Sequence, residues 1–153
     1  MRERFRRYGG RTVCGLFAAL ILAVAGCGGP KTYPVTGMVR YADGSPITPL
    51  VRGCVEFAFL EGQADVRKGT NARGDIQPDG SFSLTTYGLG EGAVEGRHQA
   101  IVVPPAPENS EDPGPSPLHP RFQRYETSKL EFTVTRDKDK NHFVIEVTAP
   151  DKE

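Results

Sequence analysis

The chain of 153 residues has no tryptophan, two methionines, three cysteines and three histidines. Sugar rings stack on exposed aromatic faces, so the lack of Trp leaves a glycan platform dependent on single tyrosines. Tyr87, set between Thr86 and Gly88 in an apparent loop, is the candidate. The formal net charge is zero, which excludes a basic nucleic-acid footprint. No stretch carries apolar residues at i, i+3, i+4 and i+7 over three turns, so long helices are not expected. The one long uncharged run, Thr12 to Ala25, falls short of the ~20 residues a membrane-spanning helix needs.

Chemistry-bearing constellations are equally scarce. His98, His119 and His142 are each more than about 20 positions from the next, and no His or Cys partner stands at ligand spacing. No metal site is expected. A Gly-x-Ser-x-Gly elbow is missing, and Asp79-Gly80-Ser81 reads as a tight turn entering a strand. Asp137-Lys138-Asp139-Lys140-Asn141 imitates the opening of a calcium loop. The imitation ends at His142 and Thr148, where that loop needs Gly and Glu, so a charged turn is the simpler reading. The chain is therefore expected to be non-catalytic and to hold no cofactor, with Tyr87, Asp137, Asp139 and Asn141 as candidate ligand contacts.

What is present begins at the first residues. Arg2, Arg4, Arg6, Arg7 and Arg11 precede the uncharged run, and small residues close it, as in an export signal. Val24-Ala25-Gly26-Cys27 resembles the lipobox of bacterial lipoproteins. That resemblance implies cleavage before Cys27, a diacylglycerol on its sulfur and an acylated new amine. Residues 1–26 are then a signal peptide, and several acyl chains hold the product on a membrane where one would bind reversibly. Gly28, where Asp would retain the protein in the inner membrane, favours the outer membrane by the same resemblance. Arg6-Arg7 matches a twin-arginine signal poorly in the company of Phe5, Tyr8 and Gly9.

The remaining 127 residues carry 14 basic and 18 acidic side chains, a net of −4, and suffice for one domain. Residues 27–34 read as a tether with an extended reach of about 25 Å, and 35–150 as the domain. Cys54 is then without a disulfide partner; at the head of Val55-Glu56-Phe57-Ala58-Phe59 it reads as a small buried hydrophobe.

Alternation with period two recurs along this domain. It marks strands around Val35 to Val39, Val55 to Phe59, Phe82 to Leu84, Arg97 to Val103, Leu130 to Val134 and Phe143 to Val147, with a short seventh at Asn71 to Ile76. Asp43-Gly44, Pro78-Asp79-Gly80 and Asp137 to Asn141 supply turns. Residues 104–120 hold seven of the 13 prolines and cannot form a central strand, so a polar loop is expected there rather than a PxxP ligand at Pro117 to Pro120. These features predict an all-β antiparallel sandwich.

Val35-Thr36-Gly37-Met38-Val39 before Asp43-Gly44, then Ala72-Arg73-Gly74-Asp75-Ile76, Asp79-Gly80-Ser81-Phe82-Ser83-Leu84-Thr85-Thr86 and Gly92-Ala93 before Gly96 are similar to the carboxypeptidase-regulatory-like or transthyretin-like domains of short bacterial lipoproteins. Pro120-Arg121 through Tyr125, Thr127 to Leu130 and Asn141 extend the likeness over nearly the whole mature chain. The resemblance implies a seven-stranded Greek-key sandwich that is commonly an accessory, stabilising or adhesive module, usually without catalysis. The lipobox, the short tether and the missing catalytic set lead to an expected structural or protein-contacting role on the cell envelope, with a protein partner there. A purine-pathway hydrolase on that fold ends in Tyr-Arg-Gly-Ser, whereas this chain ends in Pro150-Asp151-Lys152-Glu153. Some related sandwiches crosslink Lys to Asn beside a carboxylate, which nominates Lys31, Asn141 and Glu56.

Overall fold

The computed structural model describes residues 30–62, 64, 66–67, 70–88, 91–107 and 114–150. In chain order the strands are β1 Thr32–Tyr33, β2 Thr36–Tyr41, β3 Cys54–Gly62, β4 Asn71–Asp75, β5 Ser81–Ser83, β6 Ala93–Val94, β7 Gly96–Val103, β8 Leu130–Val134 and β9 His142–Val147. One helical turn, α1 Tyr125–Ser128, and three short 3-10 turns complete the described elements. The protein is all-β, and each of the seven segments read from alternation contains a strand.

Period-two patterning sorts the faces. In β2, Gly37, Val39 and Tyr41 turn inward while Thr36, Met38 and Arg40 stay exposed. Val55, Phe57 and Phe59 do the same for β3, as Ile145 and Val147 do for β9. The inward sets meet between a three-stranded sheet, ordered β5-β2-β9, and a four-stranded sheet, ordered β4-β3-β7-β8. Phe57 lies at the centre, stacked on Phe132 at 5.1 Å between centroids and flanked by Phe143 at 6.0 Å and Phe82 at 6.5 Å. Gly37 is required by that packing: a Cβ there would lie 2.2 Å from the Phe143 carbonyl oxygen and 2.4 Å from the Phe82 ring.

Two expectations are corrected. The sandwich is not antiparallel throughout, because β2 and β9 pair in parallel from Thr36↔His142 to Tyr41↔Val147. Alternation reads the same in both directions, so it fixes which face is buried and says nothing of strand sense. Nor does the tether run to residue 34. Thr32 and Tyr33 already form a strand against Val94 and Ala93.

One side of the sandwich is stitched shut. Leu84 donates its N–H to Val35 at 3.0 Å, then Thr85 exchanges both backbone hydrogen bonds with Arg73 at 2.9 Å, so the chain passes from one sheet to the other in a single step. On the opposite side β8 and β9 end their separate sheets.

The strands also define two ends. At the entry end lie β1, β6, the starts of β2, β7 and β9, and the end of β8; at the far end lie Tyr41, Cys54, Val103 and Val147. The proline-rich segment caps the far end. Tyr41 donates its hydroxyl to the Pro117 carbonyl at 2.8 Å, and His119 N–H reaches Thr148 at 2.9 Å. Leu118 and Phe122 are thereby drawn into the core, which a polar-loop reading of 104–120 does not foresee.

Candidate functional site

A groove of about 700 Å³ runs along the stitched side of the sandwich. Most of its lining surface is apolar, with Phe82 and the glycines Gly37 and Gly74 in its walls, and its polar groups come from Arg73 and Asp75 of β4, Gln77 after it, Ser81 and Ser83 of β5, and Thr36 and His142 of β2 and β9. Gly74 makes the narrowing possible, since a Cβ there would meet the Ser83 carbonyl oxygen at 2.4 Å. Thr36 Oγ1 and His142 Nδ1 lie 3.0 Å apart, and the Thr85 hydroxyl is buried with no hydrogen-bond partner among the described residues. The polar groups of the groove are hydroxyls, one guanidinium, one carboxylate, one carboxamide and one imidazole.

Arg73 also belongs to a second cluster, on the outer face of the four-stranded sheet. Its guanidinium lies 3.6 Å from the Glu56 carboxylate and 3.9 Å from that of Asp75. Cys54 Sγ is 3.9 Å from the same Glu56 oxygen. The α1 turn closes over them, held by a hydrogen bond from the Gln99 side chain to the Tyr125 carbonyl. Burial pushes the Cys54 thiol up to about 11, against the pull of Arg73. Burial and then the nearby Glu56 push the Tyr125 phenol up to about 12. Both groups are neutral near pH 7, so the cluster presents a paired carboxylate and no thiolate nucleophile.

His98 supplies no base to that thiol. It faces the core on the opposite side of the sheet, 1 % exposed, between Phe57 and Phe59. Its Nδ1 donates to the Gly96 carbonyl at 3.1 Å, which leaves Nε2 buried without a partner among the described residues. Burial lowers its pKa, and the hydrogen bond to Gly96 opposes the shift without reversing it.

The residues nominated from sequence are dispersed. Cys27 and its box, Val24, Ala25 and Gly26, lie outside the described residues, as does the whole segment 1–26. Tyr87 is 54 % exposed on the loop after β5, away from the groove's described lining. Asp137 accepts from Asp139 N–H at 3.2 Å within its own turn and faces Lys140 at 3.5 Å. Asn141 is corrected outright as a ligand contact. It is 1 % exposed, its Oδ1 accepts from Thr135 N–H at 2.9 Å, and its Nδ2 donates to Pro34 at 3.2 Å and Thr135 at 2.8 Å. The amide is spent on holding three chain segments together, a role that a charged-turn sequence does not advertise.

The three residues nominated for a crosslink are likewise apart in their engagements: Lys31 lies over the Tyr33 ring at 5.2 Å, Glu56 faces Arg73, and Asn141 is occupied as above. Among the described residues no group of three or more His, Cys, Asp or Glu is placed to hold a metal ion. Comparison with family models, with curated proteins and with solved structures gave no match to this chain.

Proposed function

We propose that this protein is an envelope lipoprotein, lipidated at Cys27 and carried on a bacterial outer membrane or cell envelope, whose β-domain is a non-catalytic structural or protein-contacting module. In this reading the seven longer strands form a transthyretin-like Greek-key sandwich. The observation that carries it is the spacing between address and fold: a lipobox ends at Cys27 and the first paired strand starts at Thr32. A chain acylated at that cysteine places a folded body against the membrane with almost no slack, which suits a module that acts beside its anchor. The neutral thiol and phenol of the Cys54 cluster and the position of His98 across the sheet favour contact over catalysis.

Crosslinking in native membranes, followed by mass spectrometry, is the test. A recurrent envelope protein recovered through the domain supports the module reading; reproducible recovery of none contradicts it. The groove on the stitched side favours a second reading, a binding site for a glycan, whose apolar ring faces would lie on its mostly apolar lining while the hydroxyls and Arg73 made the polar contacts. A glycan array with Arg73→Ala as the paired variant tests this: binding lost in the variant supports it, and no bound glycan ends it. Calcium as the ligand is disfavoured by the internal use of Asn141.

A further inference from the structure

On the lipoprotein reading, the strand nearest the anchor fixes more than attachment. Thr32 and Tyr33 pair with Val94 and Ala93, both of them buried, and Pro34 accepts a hydrogen bond from the buried Asn141 amide. Tyr33 packs against the core. The chain is therefore held from Thr32 onward at the entry end, and the five residue-to-residue steps from Thr32 back to Cys27 span at most about 17 Å when fully extended. The five residue-to-residue steps of β2 from Thr36 to Tyr41 cover about 17 Å at the rise of a strand, and the Asp43 to Ser45 turn lies beyond them. Even laid back along the domain at full stretch, the linker reaches no farther than about the end of β2 and stops short of the Asp43 to Ser45 turn and the proline cap beyond it.

We infer that the domain stands on the membrane with its entry end, the Glu95 to Gly96 and Arg136 to Lys140 loops, against the lipid headgroups and its proline-capped far end directed away. The hollow between Tyr41, Pro46, Pro117 and Ala149, about 430 Å³, then opens outward rather than onto the bilayer. Charge does not set this pose. The entry-end loop carries Arg136, Lys138 and Lys140 beside Asp137 and Asp139, and Arg136 is paired with Glu95 at 2.9 Å. The tether sets it, so the orientation is the same on neutral and anionic lipid.

The test uses the full chain, expressed in a bacterial host, extracted from membranes and reconstituted into phosphatidylcholine vesicles that contain a headgroup-nitroxide lipid. Lys138→Cys and Ser45→Cys, each in a Cys54→Ala background, are labelled with a fluorophore at opposite ends. With the ends about 20 Å apart, quenching at position 138 is expected to exceed that at position 45 by about twofold or more. A Gly-Ser spacer of about 20 residues inserted between Lys31 and Thr32, with an r.m.s. span of about 25 Å, is expected to erase the difference. Equal quenching at the two positions without the spacer, or stronger quenching at 45, overturns the orientation while leaving the anchor intact. Failure of the unlabelled full chain to float with vesicles overturns the anchor, and the orientation falls with it.

Discussion

Among single residues, His98 has the sharpest consequence. Its folded pKa lies below the ordinary value of 6.5 because burial disfavours the imidazolium. The unfolded chain takes up a proton as pH falls through about 6.5, and the folded chain takes it up only at lower pH. The contribution of this group is thus intact above about pH 7 and is lost on acidification, at no more than about 1.4 kcal/mol per pH unit. His98→Phe, which keeps a ring beside Phe57 and Phe59, is expected to flatten the decline in urea stability between pH 7 and 5; an unchanged slope contradicts this account. Cys54 is buried and its thiol is held neutral, so iodoacetamide at pH 8 is expected to leave it unmodified in native protein and to modify it fully in denaturant. The burial of Cys54 was readable from the alternating hydrophobes that come after it. The role of Asn141 was not, because a carboxamide in a charged turn gives no local sign that the distant Pro34 carbonyl and both backbone groups of Thr135 will converge on it. Asn141→Ala leaves the Thr135 amide and the Pro34 and Thr135 carbonyls without that partner and is expected to cost about 1–3 kcal/mol in chemical denaturation.

For the strands as units, the alternating pattern carried most of the information. It found the seven longer strands mainly because most of them are half-buried, which writes itself into sequence as a period of two, whereas β7 carries three consecutive buried residues, Ala100 to Val102, between its alternating ends. Three things escaped it. The parallel sense of β2 and β9 depends on how the chain returns across the whole domain. The two-residue strands at Thr32–Tyr33 and Ala93–Val94 are too short to show a period. Leu118 enters the core as a single apolar residue among prolines, held there by the Tyr41 and Thr148 hydrogen bonds on either side of it. The packing of β2 on β9 and β5 makes its own prediction. Gly37→Ala drives a methyl against a backbone oxygen and the Phe82 ring, and is expected to destabilise by about 1–3 kcal/mol. Phe57→Ala, at the centre of the ring cluster, is expected to cost about 3–5 kcal/mol. Equilibrium urea unfolding measures both, and a neutral Gly37→Ala variant would mean that the sheets pack more loosely than these distances require.

At the level of the molecule, the proposed anchor at Cys27 and the first strand at Thr32 are only a few residues apart. The export signal and the lipidation at Cys27 proposed above rest on local sequence alone, the arginine-rich start and Val24-Ala25-Gly26-Cys27. The groove beside Arg73 was not legible, since its walls come from four strands brought together only by folding. If acyl chains at Cys27 hold a domain that is ordered from Thr32 onward, the protein is inseparable from its membrane until that sulfur is changed. The most direct test is the mass of the N-terminal peptide of the native protein extracted from membranes. The account predicts a chain beginning at Cys27 that carries a diacylglyceryl thioether and an acylated amine, and a Cys27→Ser protein that lacks both; an N-terminus elsewhere, or an unmodified Cys27, contradicts it.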